Sequence, residues 1–555
     1  MKGRFFGLVF LLILLSFFSF RSLLRPGYFP MHDDMQAMRV LQMDKCINDG
    51  QIPCRWVPDM GYGYGYPQFI YYSPLPYYIM EGFHLLGFSI LDSVKIGFIL
   101  SFVFSGLAMF LLGSSLWGDW GGLVSAVFYI YAPYRASDVY TRGAVGEFWA
   151  LIFLPLIFWS IFEFIKSEKI KYLVFFSFSL AGLLITHNIT SLIFIPISGL
   201  WIIFLLWQQK KKNLLVKIFL GGILGFCLAG FFILPLIFEK RFAHTETMIM
   251  GYFNYLAHFV SLRQLFTITH WGFGSSELGS YDDLSFYIGI FHWLFSFIAM
   301  VIISLKYKSI KMSKVIIFLF LIFLTGAFMA HQRSVIVWDR LPFLSYLQFP
   351  WRFLTLVIFA TSVISGSVIS FVKGIKIKFF LLFIIIGGVI FLNVFYFRPK
   401  EWYDISDTQK FSGESWEKQL TISIFDYLPI FAKMPPATKA PDQPTIIKGD
   451  VRITSYNKGS DWQKGEINVA SQEAEIRLPL FYFPGFKVYV DGREVLIDYN
   501  NYLGLITFTV PRGEHQIFAK LKRTPIRVIG DVATILGLIF VIVLLKYEKL
   551  VQKRK

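Results

Sequence analysis

Long runs of apolar residues constrain the fold more than any other feature of this sequence. Three of them are Phe5–Phe20, Leu214–Phe238 and Phe379–Phe397. Each is close to the ~20 residues that an α-helix needs to cross ~30 Å of hydrocarbon. Only 16% of the 555 residues are charged, compared with roughly 25% in soluble proteins. The chain is therefore predicted to be a polytopic α-helical membrane protein.

The net charge of +17 is distributed in a way that argues against nucleic-acid binding. Much of the excess lies in short lysine-rich runs between apolar segments, and such runs mark the cytoplasmic side of a membrane. The runs contain Lys166, Lys169, Lys171, Lys210–Lys212, Lys306, Lys308, Lys311, Lys314, Lys373, Lys376, Lys378 and Lys546–Lys555. They predict about 12 crossings of a membrane, with the N- and C-termini cytoplasmic. No small-x-small cleavage site follows the first helix, so that helix is predicted to remain uncleaved.

The same pattern divides the chain into three parts. Residues 1–397 are predicted to form the transmembrane domain, with outer loops at 26–67 and 239–283. Residues 398–526 are predicted to form an extracytoplasmic domain. Residues 527–555 are predicted to form a final transmembrane helix and a basic cytoplasmic tail.

One stretch of the transmembrane domain does not fit a regular alternation of crossings. Four apolar segments precede Lys166, at about 68–89, 94–116, 119–134 and 146–165. Only an odd number of crossings joins an outer loop to an inner one, so one segment must be re-entrant or interfacial. The candidates are 119–134, which is short, and 68–89, which is rich in proline and tyrosine. The sequence does not decide between them.

The extracytoplasmic domain is predicted to be mostly β. Polar and apolar residues alternate along Phe486–Val490 and again along Glu494–Ile497, on either side of Asp491 and Gly492. An Asp-Gly pair between two alternating runs is a strong hairpin signal. Further alternating runs follow, so the segment predicts a small antiparallel domain that resembles a β-sandwich.

Two adjacent acids open the first outer loop and are the leading catalytic candidates. His32-Asp33-Asp34 follows the first apolar helix and precedes a short amphipathic segment. One carboxylate could accept a proton from an incoming hydroxyl group, and Asp34 could help to bind a divalent metal such as Mg or Mn. A second doublet, Asp282-Asp283, could complete that metal site. The alternative is that the first doublet caps the following helix.

A glycine- and tyrosine-rich stretch, Gly50–Pro67, lies in the same loop. Alternating glycines allow tight turns, so that the rings can face a common surface. The side chains of Arg55, Trp56, Tyr62 and Tyr64 are therefore candidates for binding a sugar or a lipid headgroup. An interfacial aromatic belt is an equally good explanation.

Further candidates lie at the predicted ends of helices. Arg135, Arg142 and Glu147 surround one turn, where an arginine could hold a phosphate oxygen. His187 and Arg352 lie at the outer ends of two later helices. The alternatives are a loop ion pair for the first group, a hydrogen-bonded helix end for His187, and a side chain that reaches up to lipid headgroups for Arg352.

Two of the three cysteines, Cys46 and Cys54, fall in the first outer loop. In an oxidising exterior they could close a small disulfide loop, and two free thiols are the alternative. Cys227 lies inside an apolar run and is predicted to be inert packing.

Several longer strings resemble known membrane families. Four of them resemble the bacterial family named 6-pyruvoyl-tetrahydropterin synthase-related membrane domain: Gly50-Gln-Ile-Pro, Tyr71-Tyr-Ser-Pro-Leu-Pro-Tyr, Tyr131-Ala-Pro-Tyr-Arg and Gln348-Phe-Pro-Trp-Arg-Phe. Tyr482-Phe-Pro-Gly-Phe resembles the end of bacterial glycosyltransferase-like membrane proteins. The acidic pair, the many apolar helices and the C-terminal outer domain together resemble the glycosyltransferase-C (GT-C) superfamily.

The superfamily resemblance implies an inverting glycosyltransferase. Such an enzyme takes a sugar from a polyprenyl-phosphate carrier in the lipid bilayer and passes it to an extracytoplasmic glycan, lipid or protein. The position that matches the superfamily's general base is Asp33 or Asp34. The chain has no nucleotide-binding motif, so an activated lipid-linked substrate or a gradient must supply the energy. A transporter of lipid-linked glycans and a non-catalytic scaffold for the β domain are the alternatives.

Overall fold

The computed structural model describes residues 2–279, 282–306 and 312–554. Lys308 and Lys311, which belong to one predicted inner loop, lie outside these residues. Within the described chain, eight helices are long and apolar enough to cross a membrane, or nine if one bent pair is a single span. The eight are Phe5–Leu24, Ile90–Trp117, Val145–Ser167, Asn188–Gln208, Ser313–Ala330, Pro350–Ser370, Ile375–Tyr396 and Pro525–Leu550. They confirm a polytopic membrane protein, whereas the count of about 12 crossings stays a prediction.

The α-helices are numbered along the chain. They are α1 (Lys2–Phe20), α2 (Gln36–Asn48), α3 (Gln68–Tyr71), α4 (Leu75–Leu85), α5 (Ile90–Trp117), α6 (Asp119–Ile130), α7 (Pro133–Tyr140), α8 (Val145–Ser167), α9 (Ile170–Leu184), α10 (Asn188–Gln208), α11 (Leu215–Leu228), α12 (Gly230–Glu239), α13 (Leu262–Phe266), α14 (Ile290–Lys306), α15 (Ser313–Ala330), α16 (Val335–Arg340), α17 (Leu354–Ser370), α18 (Ile375–Asn393), α19 (Asp407–Lys410), α20 (Gly413–Thr421) and α21 (Pro525–Arg554). The span that contains α17 is 89% buried and that of α21 only 17%. Helix α17 therefore lies at the centre of the bundle, and α21 lies at its edge.

The four apolar segments near the start of the chain form two long helices, α5 and α8, and two short ones, α4 and α6. Both ends of α4 lie at one face of the bundle. The N–H of Leu75 donates to the carbonyl of Ile185, and the N–H of Ile90, just beyond α4, donates to Asp407. We call this the loop face, since both predicted outer loops lie there. Helix α6 packs antiparallel to α5 and so returns the chain to the loop face. Of the four apolar segments, 68–89 is therefore the one that begins and ends at the same face of the bundle.

The apolar run 214–238 is broken rather than continuous. Helices α11 and α12 meet at an angle of 77°, which leaves backbone groups without partners inside the helix. The hydroxyl of Thr534, on α21, accepts from the N–H of Phe231 at 2.9 Å and donates to the carbonyl of Cys227 at 3.2 Å. Because unpaired backbone groups are costly in hydrocarbon, this contact with α21 stabilises the break.

The β domain is one antiparallel sheet of six strands, in the order β1-β3-β6-β4-β5, with β2 also paired to β3. The strands are β1 (Thr445–Lys448), β2 (Val451–Lys458), β3 (Trp462–Phe481), β4 (Phe486–Val490), β5 (Arg493–Val495) and β6 (Leu505–Leu521). The predicted hairpin is confirmed, because Asp491 and Gly492 join β4 to β5 with φ angles of 48° and 79°, as a type I′ turn requires. The predicted sandwich is wrong. With 20 and 17 residues, β3 and β6 are long enough to pair with β1, β2 and β4 in a single sheet.

The segment 399–444 connects the bundle to the sheet and folds over the first outer loop. It contains α19 and α20, and this fully described stretch has no strand. Tyr28 and Tyr403 exchange two backbone hydrogen bonds of 2.8 and 2.7 Å. Lys410 Nζ lies 2.6 Å from Asp34 Oδ2. We call this segment the cover segment.

Candidate functional site

A cavity of about 370 Å³ lies at the loop face, between the helix bundle and the cover segment. Its walls come from both outer loops, from the starts of α8, α10 and α17, and from the chain after α20. The larger lining residues are His32, Asp33, Arg39, Tyr72, Arg142, Glu147, His187, Met248, Tyr252, Phe253, Gln348, Phe349, Trp351, Arg352, Asp426 and Tyr427. The cavity brings together six of the residues singled out from the sequence: His32, Asp33, Arg142, Glu147, His187 and Arg352.

Asp33 presents one carboxylate oxygen to the cavity. Its Oδ2 accepts hydrogen bonds from Arg39 Nη1 at 2.9 Å and from Gln36 Nε2 at 2.8 Å. Its Oδ1 has no donor among the described residues, and 34% of the side chain is exposed. The N–H of Asp33 donates to the carbonyl of Arg142 at 2.9 Å, which fixes the first loop against the turn before α8. One oxygen is thus oriented by donors while the other is free to take a proton.

Asp34 points the other way and is absent from the cavity wall. Its Oδ2 binds Lys410, and its backbone carbonyl accepts from Gln419 Nε2 at 2.9 Å. Burial is the main influence on this carboxyl group and raises its pKa. The two neighbouring acids therefore differ in position: Asp33 faces the cavity, and Asp34 fastens the cover segment to the first loop.

Arg39 is a cavity residue that the sequence analysis missed. It lies on α2, one and a half turns beyond Asp33, and its guanidinium carbon lies 4.0 Å from the centre of the Tyr72 ring. Burial alone would lower the pKa of Arg39, but the Asp33 carboxylate raises it well above its ordinary value. Arg39 therefore stays charged and holds Asp33 in place. A lone arginine in a short amphipathic helix gives no sequence signal that separates this role from solvent exposure.

Two arginines share the carboxylate of Glu147 on another side of the cavity. Glu147 Oε2 accepts from Arg142 Nη2 at 2.8 Å and lies 3.3 Å from Arg352 Nε. Glu147 Oε1 accepts from the Tyr134 hydroxyl at 2.5 Å. Arg142 also pairs with Asp138, whose pKa is raised by burial and by the nearby Glu147 carboxylate. Two guanidinium groups thus meet one shared carboxylate at this end of the cavity, an arrangement that suits an anionic ligand.

Arg352 and His187 keep donor groups available at this end of the cavity. Arg352 Nη1 donates to the carbonyl of Leu347 at 2.6 Å and to Gln348 Oε1 at 3.0 Å, while Nη2 has no partner among the described residues. His187 Nδ1 accepts from the N–H of Thr190 and caps α10. Burial, together with Arg352, lowers the pKa of His187 to about 3. The imidazole is therefore neutral, and its proton lies on Nε2.

The cover segment and the outer loops complete the cavity with an acid and an aromatic wall. Asp426, from the cover segment, was also missed from the sequence. Burial raises its pKa to about 6, although Arg39 opposes that shift. Phe349 and Trp351 stack with ring centres 4.7 Å apart, and Tyr252 lies against Phe349. Rings combined with convergent polar groups are typical of small-molecule sites.

The structure places five predicted binding residues away from the cavity. Arg55 binds Asp531 of α21 at 2.6 Å. Trp56 is fully buried against Phe486 and Phe483 of the β domain. The five residues are Arg55, Trp56, Tyr62, Tyr64 and Arg135.

The glycine- and tyrosine-rich stretch instead forms an interface with the cover segment and the sheet. The backbone of Tyr62 bonds to Leu420 and Ala440, and Tyr64 packs on Phe481. Gly65 has a φ of +86°, and an added Cβ there would collide with the ring of Trp56. Added Cβ atoms at Gly61 and Gly63 would instead meet Phe481 of the sheet and Ala440 of the cover segment. The small residues thus allow close packing within the loop and between domains, which produces the same sequence pattern as a sugar-binding surface.

Arg135 is buried in the helix bundle. It donates to Ser105 Oγ at 2.7 Å and lies over the ring of Phe148 at 4.6 Å. The predicted contact with a ligand is therefore replaced by contacts between helices.

The predicted divalent metal stays a prediction. Among the described residues, no group of three or more His, Cys, Asp or Glu side chains is arranged to hold a metal ion. Asp34 is occupied by Lys410, and neither Asp282 nor Asp283 lines the cavity. Cys46 and Cys54 form a disulfide that joins the end of α2 to the following loop.

Comparisons with known proteins give partial similarities. No family model matches the chain, so the resemblance to the pterin synthase-related family stays a prediction. An uncharacterized protein of Lactococcus lactis subsp. cremoris (strain MG1363) is 26% identical over 211 residues, which cover 36% of this chain. The match spans about a third, 34%, of that relative.

Among solved structures, this chain is similar to the arabinofuranosyltransferase AftD from Mycobacteria. The match covers 74% of this chain and 28% of AftD, with a TM-score of 0.46 and 12% identity. An oligosaccharyltransferase from Archaeoglobus fulgidus matches over 71% of this chain and 53% of its own length, with a TM-score of 0.38 and 12% identity. Since both superpositions are partial, the chemistry of this chain is inferred from its own residues.

Replacing Asp426 by asparagine is expected to change how stability depends on pH. Its pKa of about 6 exceeds the ~3.9 of free aspartate, so the folded state binds the proton more tightly than the unfolded state. The tighter binding of the proton contributes about 3 kcal/mol to the free energy of unfolding. This contribution is fully present below about pH 4 and is lost as the pH rises through about 6. In thermal unfolding from about pH 4 to 7, the wild type should lose stability relative to Asp426→Asn. Parallel curves for the two proteins would contradict this.

Proposed function

We propose that this chain is an inverting membrane glycosyltransferase that moves a sugar from a polyprenyl-phosphate carrier to an acceptor at the loop face. One observation carries the proposal: the open Oδ1 of Asp33 shares a cavity with the arginine pair on Glu147. A base and an anion-binding group are the two elements that such a transfer needs. The resemblance of the sequence to the GT-C superfamily supports the same assignment.

In the proposed reaction, Asp33 takes the proton from a nucleophilic group of the acceptor. The acceptor atom attacks the anomeric carbon of the sugar from the side opposite the phosphate. The bond between that carbon and the phosphate oxygen breaks, and the phosphate remains on the carrier. Arg352 Nη2, Arg142 and the Nε2–H of His187 would stabilise the charge that develops on the phosphate. A single displacement of this kind inverts the anomeric configuration.

The lipid part of the donor would lie in an apolar cleft of the bundle. A cleft of about 400 Å³ runs between α10 and α15, and its walls include Leu200, Phe204, Trp207 and Phe318. Helix α10 begins directly after His187, so it connects the cavity to the cleft. An isoprenoid chain matches the apolar character of these walls.

The loop face would be extracytoplasmic. The lysine-rich runs, as far as the structure describes them, lie at the opposite ends of the helices, where positive residues mark the cytoplasm. The disulfide between Cys46 and Cys54 fits an oxidising exterior. The protein would thus span a bacterial inner membrane with both termini cytoplasmic, and the acceptor would be a cell-envelope glycan, lipid or protein.

Arg352→Gln is expected to weaken binding of undecaprenyl phosphate, used as the probe, by about tenfold or more. A hydrogen bond to a charged group contributes ~1.5–3 kcal/mol, and the Arg352→Gln variant would lose the contact between the guanidinium group and the phosphate. Arg333→Gln is the matched control, because Arg333 is exposed in the turn before α16. Binding would be measured with the purified full chain in neutral detergent, after checking by gel filtration that each variant is folded. Equal affinity for wild type and Arg352→Gln would contradict the phosphate assignment.

A further inference from the structure

A second cavity, of about 230 Å³, lies at the loop face where three parts of the chain meet. One wall is the loop Gly50–Pro53, which the disulfide closes. The other walls are the end of β6 and the first turn of α21. Its charged lining residues are Arg55, Asp461, Lys520, Lys522, Arg523 and Arg527. None of these residues lines the cavity that contains Asp33.

The cations around this cavity exceed their acidic partners. Arg527 is paired with Glu239 at 2.9 Å, and Lys520 is paired with Asp461 at 2.7 Å.

Arg55 and Arg523 share a single carboxylate, that of Asp531, at 2.6 and 3.4 Å. Lys522 has no acidic partner among the described residues. These five cations thus have three carboxylates as ion-pair partners among the described residues, an excess of two positive charges within this set.

The guanidinium group of Arg55 has an unused hydrogen-bond donor beside this cavity. Only 6% of this residue is exposed, and its Nη2 binds Asp531. Its Nη1 is buried and has no hydrogen-bond partner among the described residues. A buried charged donor without a partner is costly. An anion that enters the cavity beside Arg55 would supply that partner and the missing negative charge.

The cavity lies at the level where the chain enters the membrane. The span of α21 begins at Pro525, two residues beyond Arg523. The first turns of α21 expose apolar side chains, with Val528 45%, Ile529 56% and Val532 46% exposed. A ligand that combines an anionic group with apolar chains would contact both surfaces at once.

We propose that this cavity binds the phosphate group of an anionic membrane lipid. The acyl chains would lie along the exposed face of α21, and the phosphate would bridge Arg55, Lys522 and Arg523. Such a lipid would join the first outer loop, the β domain and the last helix. This site is separate from the proposed transfer reaction and does not depend on it. It also gives a role to Arg55, which was predicted from the sequence to bind a ligand but does not line the larger cavity.

The test uses the purified full chain and native mass spectrometry with two lipids that have identical acyl chains. Phosphatidylglycerol is expected to be retained over phosphatidylcholine by about tenfold or more, because each basic group near a membrane surface adds a sizeable attraction for anionic lipid. The double variant K522A/R523A is expected to lose most of that preference. Both residues are exposed. Their removal takes the Arg523 contact from Asp531 but leaves the pairs Arg55–Asp531 and Arg527–Glu239 in place. The control K464A/R493A removes the same charge from exposed positions on the sheet and is expected to retain the preference.

Two results would overturn the proposal. One is an equal retention of the two lipids by the wild type. If inorganic phosphate then binds with a dependence on Lys522 and Arg523, the site belongs to a soluble anion. The other is an unchanged preference in K522A/R523A, which would place the lipid elsewhere. None of these outcomes bears on Asp33, so this site and the transfer reaction are tested separately.

Discussion

Asp33→Asn is expected to lower the rate of sugar transfer by about a thousandfold, the scale of a lost general base. Asparagine has nearly the same shape, but its amide oxygen cannot accept the proton that the acceptor must release. Asp34→Asn is expected to retain most of the activity, because Asp34 faces Lys410 rather than the cavity. The adjacent pair therefore provides its own matched control.

This pair of variants can be compared before the sugar is identified. A host strain that lacks this chain would be complemented with the wild type, Asp33→Asn or Asp34→Asn. Mass spectrometry would then compare the glycans and glycolipids of the envelopes. Asp33→Asn should match the deletion and Asp34→Asn the wild type, at equal amounts of protein in the membrane. A reversed order, or full function in both, would remove Asp33 from the mechanism.

The second large effect concerns stability. Arg527→Met is expected to lower the free energy of unfolding by about 3–5 kcal/mol, the range for removing one partner of a buried ion pair. Arg527 and Glu239 are 1% and 2% exposed in their side chains, and Arg527 Nε also donates to Glu239 at 3.0 Å. The methionine would leave the Glu239 carboxylate buried with only the Thr524 hydroxyl as a side-chain donor.

Thermal unfolding of the detergent-solubilised chain, followed by tryptophan fluorescence, measures this effect. The double variant E239L/R527M is the control, because replacing both charges by apolar groups removes the uncompensated carboxylate. It should be more stable than Arg527→Met alone. A double variant as unstable as the single one would show that the charge pairing is not the cause.

The sequence predicted the membrane fold well because the bilayer imposes a simple length rule on apolar runs. It could not decide which segment near the start fails to cross, since α4 and α6 are both short and apolar. The contact of Leu75 with Ile185, and that of Ile90 at the start of α5 with Asp407, place the segment between them at one face of the bundle. In the sheet, alternation predicted the strands and the hairpin at Gly492, but it carries no information on pairing over the length of β3.

The candidate site was partly predictable. Asp33, Arg142 and Arg352 stood out because charges at helix ends are costly beside a membrane unless they have a role. Arg39 did not stand out because it lies in an amphipathic helix where charge is ordinary, and Asp426 did not because it is a lone acid in a segment without a clear pattern. Only the tertiary fold places both at the cavity. Trp56 was misassigned because aromatic residues between glycines fit a ligand surface and a domain interface equally well.

The most direct measurement reconstitutes the purified chain in vesicles with a polyprenyl-phosphate-sugar extract and envelope acceptors from its host. Mass spectrometry then follows the carrier and the products. The proposal predicts that the wild type releases polyprenyl phosphate while an acceptor gains one sugar, and that Asp33→Asn binds the carrier but does neither. If no sugar leaves the carrier with the wild type, or if Asp33→Asn transfers it equally fast, the proposed function is wrong.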